Sequence, residues 1–350
     1  MQLLLSIIIA TYNRANFINQ TINSIIPQLS GAVELLVVDG ASTDNTEALM
    51  QEYLRRCDRI RYVRLQTKGG VDQDYNRAVE LARGKYCWLF TDDDIVKPEA
   101  VKTILSQIAQ GYELIIMNAE VRNPNLSNVL EKNRLDIIND RVYMPNEFEK
   151  FFLDNVLYMS FIGCVIIRRD IWIEREKEKY FDSDFIHLGV IFQKRLRSAI
   201  LVVANRYISI RFGNEQWSSR TFEIWALNWP KLIWSFDVIS TCAKSFITPQ
   251  EPWRKITKLL FLRAKGNFGL YEYYKYIRPN ISSLFERMII KSVALLPGYF
   301  VNCMATVYCT FKTSQDQLDF YVLKNSKYHY LNFVQKLAGF KLQTGRETNR

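Results

Sequence analysis

The first 120 residues predict an α/β fold, a mostly parallel sheet flanked by helices, followed by a helical C-terminal region. Three observations carry this. Short apolar runs alternate with helical patterns, the βαβ rhythm of a parallel sheet. Residues 4–10 form one continuous apolar run, as in a strand covered on both faces. From about Trp217 the chain turns helical, aromatic and basic.

The elements follow in order. Residues 4–10 give the first strand; MQLLLSIIIA lacks the basic start and small-residue cleavage site of a signal peptide and runs straight into TYNR. A helix is expected over 15–29 and a second strand over 34–39 (ELLVVD). Asp44 reads as a helix N-cap, with Glu47 three residues on as in a capping box. Residues 60–65 form a third strand. Val71, Tyr75, Ala78, Val79 and Ala82 recur at helical spacing, with Gly84 placed to close that helix. A fourth strand covers 85–90. Pro98 opens the next helix, Gly111 closes it, and 112–119 form a fifth strand. Residues 120–142 read as a long polar loop. Beyond it come a helix over 146–157, a strand over 161–168, a helix over 184–196 and one or two strands over 199–212.

With 350 residues, 48% of them hydrophobic, the chain can bury a sizeable core in about two domains. The boundary is expected near 215, separating 1–215 from 216–350. The net charge of +10 lies entirely beyond residue 250, where sixteen Lys and Arg face six Asp and Glu. Such a tail suits an anionic partner. No recognition motif accompanies the charge, which argues against nucleic acid. Residues 254–265 mix Lys and Arg with Ile256, Leu259, Leu260, Phe261 and Leu262, the composition of an amphipathic helix on an anionic membrane surface. Residues 292–311 are apolar enough to suggest a span, but Pro297, Gly298 and Asn302 interrupt them, so a buried or interfacial helix pair is expected. The six cysteines show no metal spacing and read as reduced structural thiols of a cytoplasmic chain. Trp172, Trp217, Trp225, Trp229, Trp234 and Trp253 are expected to serve packing.

Ligands of open α/β sheets bind outside the carboxyl ends of the strands. Three polar clusters fall there: Thr11, Tyr12, Asn13 and Arg14; the segment 39–44 beginning with Asp39; and Asp92, Asp93 and Asp94. Asp39 can accept a hydrogen bond from a pyrimidine N–H, and groups near Thr11 can reach a ribose or a phosphate. A diphosphate placed among aspartates needs a cation between them, and Mg²⁺ or Mn²⁺ suits oxygen ligands completed by substrate phosphates. The bland alternatives are a helix N-terminus favoured by Asp92, Asp93 and Asp94, an Asx turn at Asp39, and a helix start at Asn13 and Arg14.

SIIIATYNR, VVDGASTDNT, GVDQDYNRAVELARGKY and FTDDD, in this order and spacing, resemble the GT-A fold of family 2 glycosyltransferases. The resemblance implies transfer of a sugar from a nucleotide-sugar donor. It assigns nucleobase contact to Asp39, metal binding to Asp92 and Asp94 with Asp93 able to replace either, and donor contact to the segment from Asp72 to Asn76. It makes 1–120 the donor half and 121–215 the acceptor half. The segments YCW, FIGCVIIRR, His187 and RFGN are similar to O-antigen side-branch sugar transferases of the abequosyltransferase-like group. That likeness implies a carbohydrate acceptor, lipid-linked, in bacterial surface polysaccharide assembly, and an enzyme peripheral on the inner face of the cell membrane. Most family 2 enzymes carry a Glu-Asp pair whose Asp is the base. Here His187 stands at that place after Asp182, Ser183 and Asp184, so His187 and Asp184 are both candidates for the base. Arg211 is a candidate for diphosphate contact, or an ordinary ion-pair partner. Two other classes stay open: a sugar-nucleotide nucleotidyltransferase, which would need a glycine-rich loop that TYNRANF lacks, and a non-catalytic nucleotide-binding module.

Overall fold

The computed structural model describes residues 3–214, 218–311 and 317–329. The chain divides into two compact units, one of Met1–Asn214 with Lys231–Pro249 and one of Glu215–Pro230 with Gln250–Arg350. The first unit breaks off after Asn214 and takes in residues 231–249 again. Phe236 explains that return, because it is fully buried against Phe152 and Phe192 of the first unit.

The first unit is built on a ten-stranded mixed sheet. Its strands are β1 (Leu5–Thr11), β2 (Val33–Asp39), β3 (Ile60–Arg64), β4 (Tyr86–Phe90), β5 (Ile95–Val96), β6 (Leu114–Arg122), β7 (Val129–Glu131), β8 (Arg141–Tyr143), β9 (Val165–Arg168) and β10 (Ile200–Arg211). The order is β3-β2-β1-β4-β9-β6-β10-β5, with β7 on β6 and β8 on β10. β3, β2, β1 and β4 run parallel, as the alternating pattern predicts. The rest is more antiparallel than expected, because β9 enters between β4 and β6 against both of them. The polar stretch 120–142 is not one loop: β7 and β8 pair antiparallel with β6 and β10. They are three-residue edge strands, too short to leave an apolar pattern.

Helices α1 (Ala15–Ile25), α2 (Thr46–Arg56), α3 (Val71–Leu81), α4 (Ala100–Ile108), α5 (Phe148–Asn155), α6 (Arg169–Glu174) and α7 (Ile186–Phe192) connect these strands. The amphipathic stripe of α1 buries Ile18, Ile22 and Ile25, as helical spacing dictates. Gly111 closes α4 with φ 84. Gly84 plays a different part from the one expected. A Cβ there would lie 2.5 Å from the Ser6 amide nitrogen, so the position requires close approach of two backbones. Asp44 likewise builds no capping box. Its carboxylate accepts from the Ala15 amide at 3.0 Å and from Thr46, tying the starts of α1 and α2 together.

The second unit is helical. Within it α8 (Ile256–Lys265), α9 (Leu284–Leu295), α10 (Gly298–Phe311) and α11 (Gln317–Asn325) carry two apolar clusters. One gathers Phe222, Trp253, Leu259, Phe268 and Ile290; the other gathers Ala264, Val301, Cys309 and Leu323. Leu259, Leu262 and Ala264 of α8 are therefore internal. Its apolar face is covered by its own unit and not offered to a membrane, contrary to the expectation from composition. Among the described residues no single helix is long and apolar enough to cross a membrane. α9 and α10 form a pair bent by 87° at the Pro297 break. Asn302, inside that pair, is fully buried and donates to the carbonyls of Ala264 and Leu323. Trp217 lies outside the described residues.

Candidate active site

β2, β1 and β4 are neighbours, and their register pairs Thr11 with Asp39 and Ile9 with Phe90. The three polar segments thus leave the sheet side by side. Asn13, in the left-handed region at φ 55, laces the first two. Its Oδ1 accepts from the Thr43 amide at 2.7 Å, and its own amide donates to Ser42 Oγ at 2.8 Å. Asn13 therefore shapes the loops.

The third segment joins through Arg14. Its Nε donates to Asp92 Oδ1 at 3.3 Å, another guanidinium nitrogen pairs with Asp93 Oδ2, and Thr11 Oγ1 donates to Asp92 Oδ2 at 2.8 Å. Asn214 Nδ2 donates to Asp93 Oδ2 at 2.9 Å. The guanidinium carbon stands 4.6 Å from the centre of the Phe17 ring, which fixes the fork. The Asp92 and Asp93 side chains keep 15% and 16% of their surface. Asp94 is different: at 2% exposure, its Oδ1 accepts from the Arg211 amide at 2.7 Å and its Oδ2 from Thr91 Oγ1 at 2.5 Å. Asp94 is turned into the protein, so the outward pair is Asp92 with Asp93, not Asp92 with Asp94.

Arg211 is also spent on structure. Its guanidinium donates to the carbonyls of Asp93 and Pro124 and pairs with Gln20, leaving no free fork for a diphosphate. Arg14 changes the electrostatic argument too. It is a cation already lodged between two acids, so repulsion within the triplet does not by itself demand a metal. What Asp92 and Asp93 offer is a pair of hard oxygen donors. Among the described residues no group of three or more His, Cys, Asp or Glu is placed to hold a metal ion. Two carboxylates fit Mg²⁺ or Mn²⁺ of the kind whose coordination is completed by substrate phosphates and water.

Asp39 is wholly buried. Its Oδ1 accepts from the Ser42 amide at 2.8 Å and its Oδ2 from the Tyr62 hydroxyl at 2.6 Å. Burial, then Asp39 itself, holds that hydroxyl protonated far above its usual range. Tyr12 is half-buried, with Lys68 Nζ 3.9 Å from its ring centre. Asn76 is committed to Trp172 Nε1 at 3.0 Å and to Glu80 at 2.9 Å, which places it in the packing of α3.

Asp72 and the predicted base region meet. Asp72, buried in the first turn of α3, accepts from the Ile186 amide at 2.9 Å and the Asp184 amide at 2.8 Å. It grips the loop before α7 through both of its oxygens. Asp182 and Asp184 in that loop have φ 64 and 67. His187 is 1% exposed, with Nε2 2.7 Å from the Met159 carbonyl, and burial pulls its pKa down to about 4. It is a core histidine, which leaves Asp184 as the remaining candidate of the two.

Sequence reading passes over Tyr62 and Lys68, whereas Asp74 and Asn214 lie inside segments it singles out, 72–76 and 211–214. Nothing in the spacing of Tyr62 or Lys68 marks them.

Burial raises Asp92 to about 7, with Asp93 as the second cause, and raises Asp72 to about 6. Both bind a proton more tightly folded than unfolded, where the ordinary 3.8 applies. Their contribution to stability is complete below that value and is lost as pH rises through about 6 to 7. The melting temperature of the metal-free protein is therefore expected to fall from pH 5 to pH 8, and Asp92→Asn to flatten the fall. A pH series by differential scanning fluorimetry checks this; an equal slope in both proteins refutes it.

Fold and site together define the GT-A class, an α/β sheet with paired carboxylates and lacing loops at its parallel strand tips. Residues 6–175, just under half of the chain, match Glycosyl transferase family 2. The chain resembles the abequosyltransferase RfbV of Salmonella typhimurium, 25% identical over 53% of this chain and 57% of that protein. It also resembles a GalNAc(5)-diNAcBac-PP-undecaprenol beta-1,3-glucosyltransferase of Campylobacter jejuni, 30% identical over 35% of this chain and 40% of the other. The chain thus spans little more than half the length of these curated relatives at most. The crystal structure of S. aureus TarS 1-349 in complex with UDP shares the fold, with a TM-score of 0.57 at 16% identity over 93% of this chain and 91% of that one.

Proposed function

We propose that this chain transfers a sugar from a nucleoside-diphosphate donor to a carbohydrate acceptor, in the assembly of a bacterial surface polysaccharide such as O-antigen or capsule. One observation carries the reading: Thr11, Arg14, Asp92 and Asp93 form a single hydrogen-bonded group at adjacent parallel strand tips. Asp92 and Asp93 would hold Mg²⁺ or Mn²⁺, which would neutralise charge on the departing nucleoside diphosphate. Arg14 positions both carboxylates. Asp184, presented by the loop that Asp72 grips, accepts the proton of the acceptor hydroxyl. TarS has been solved with UDP and with UDP-GlcNAc, which supports the donor class, and the name of the Campylobacter enzyme describes a polyprenyl-diphosphate-linked acceptor, which supports a lipid-linked one here. The nucleotidyltransferase alternative is not favoured, since the loop after β1 holds no glycine.

The test is a panel of sugar nucleotides with and without Mn²⁺, read by thermal shift and by release of nucleoside diphosphate with glycan acceptors. Metal-dependent stabilisation and release are expected. Binding without release from any donor would leave a non-catalytic module, and no binding at all would end the proposal.

The acceptor reading includes a membrane surface on the cytoplasmic side. Phe285 and Phe300 are 70% and 61% exposed, and Leu284, Met288, Met304 and Tyr308 are exposed with them on α9 and α10. Close by in the same unit, Lys275 and Arg278 lie over Tyr271 and Tyr274, the mixture of cations and amphipathic rings that suits a headgroup layer. The double variant Phe285→Asp, Phe300→Asp is expected to lose at least about tenfold in binding to phosphatidylglycerol vesicles without a lower melting temperature. Unchanged co-flotation would refute the contact.

A further inference from the structure

A cleft of about 160 Å³ opens in the first unit at the end of the sheet away from the acidic triplet. Glu113 precedes β6, Arg197 precedes β10, and Arg168 pairs in register with Tyr86, the first residue of β4. The cleft therefore lies at the amino ends of these strands, whereas Asp92 follows the carboxyl end of β4. The length of that strand, about 15 Å of extended chain, separates the two.

The lining is unbalanced in charge. Arg168, Arg175, Lys194, Arg195 and Arg197 face two acids, Glu113 and Glu174. Both acids are already engaged. Glu113 accepts from the Arg197 and Ser198 amides at 2.6 and 3.0 Å and pairs with Arg168 at 3.4 Å. Glu174 pairs with Arg197 at 3.6 Å. Arg175, Lys194 and Arg195 are left with no carboxylate partner among the described residues. Arg175 forms the floor: it is 4% exposed, and its guanidinium donates to the carbonyls of Ile191 and Arg195 at 2.8 and 3.4 Å. Carbonyls fix a guanidinium but bring no net charge, and burial pulls its pKa below the usual arginine range. A buried charge without a counter-ion is costly. Lys194 and Arg195, exposed just after α7, stand at the rim.

A cleft lined by one sign of charge focuses its field on an incoming counter-ion, and arginine forks match phosphate oxygens. The volume approaches that of a cavity able to hold benzene, so a phosphate fits with some of its water. We propose that this cleft binds a phosphate group, carried by a free phosphate or by a lipid headgroup. The assignment stands apart from the donor reading, because no residue of the strand tips takes part.

The experiment is titration calorimetry of inorganic phosphate and pyrophosphate in EDTA, beside co-flotation with phosphatidylglycerol and phosphatidylcholine vesicles. The double variant Lys194→Gln, Arg195→Gln removes two exposed charges that hold no partner, so it should melt with the wild-type protein in anion-free buffer. If the source is free phosphate, the variant binds the soluble anions at least about tenfold more weakly. If it is a headgroup, the variant loses about tenfold in binding to phosphatidylglycerol vesicles and nothing on phosphatidylcholine. Either result supports the site. A variant equal to wild type in both assays, or a wild-type protein that binds neither probe, overturns it. Soluble-anion binding that survives in the double variant but falls in Arg14→Gln would place the anion at the strand tips and overturn it as well.

Discussion

Asp93→Ala is expected to lose Mn²⁺-dependent release of nucleoside diphosphate by about 10²-fold or more while melting within a few degrees of the wild-type protein. A metal ion acting on a leaving diphosphate supplies several kcal/mol, and about 2.7 kcal/mol is already a hundredfold. Asp93 keeps part of its carboxylate at the surface, and its partners there are the side chains of Arg14 and Asn214, so its removal leaves the backbone hydrogen bonds of the fold intact. Asp94→Ala is the informative contrast. It strips acceptors from the buried Arg211 amide and from Thr91, at about 1–3 kcal/mol for each unsatisfied group. That variant should lose stability first and activity through it. Kinetics and melting curves of the two proteins, measured together, decide the matter. If Asp94→Ala alone lost metal dependence at unchanged stability, the outward pair would be wrongly identified.

That contrast marks the limit of what the sequence discloses. Continuous apolar runs and helical spacing place β1 to β4 and their helices, because each of those strands is covered on both faces and must read as an unbroken run. The direction of β9 is invisible, since four apolar residues read the same forwards and backwards and only packing between β4 and β6 decides. At the site, strand-end position brings Thr11, Asp39 and Asp92 together, and their register bears this out. It does not tell which carboxylates face out. Asp93 and Asp94 are neighbours with the same side chain, and the difference comes from β10, over a hundred residues on, whose Arg211 amide claims Asp94. His187 shows the same limit from the other side. Its neighbours Phe185, Ile186, Leu188 and Val190 are apolar, and in α7 they take it into the core, where a neutral ring bonded to a carbonyl meets no acceptor.

The second large effect is expected at Asp72, a positioning residue. Asp72→Asn should lower kcat by about 10² while affinity for the nucleoside diphosphate stays within about threefold. The loop from Asp182 to Asp184 carries two non-glycine residues in the left-handed region, at a cost of about 1 kcal/mol or more each. Against that stand two backbone N–H bonds to one buried carboxylate, about 1.5–3 kcal/mol apiece. An asparagine keeps one acceptor and turns an N–H₂ group toward the other amide, so the balance reverses and the loop relaxes. A base displaced by an ångström can forfeit about a hundredfold in rate, whereas the strand tips that hold the donor keep their register. The split between kcat and affinity is therefore the decisive readout, together with recovery of activity in Asp72→Glu if the longer acid can still reach the Asp184 and Ile186 amides. Parallel loss of nucleotide binding and of rate would mean that Asp72 holds α3 in place, and the acceptor side would then need another base-bearing loop.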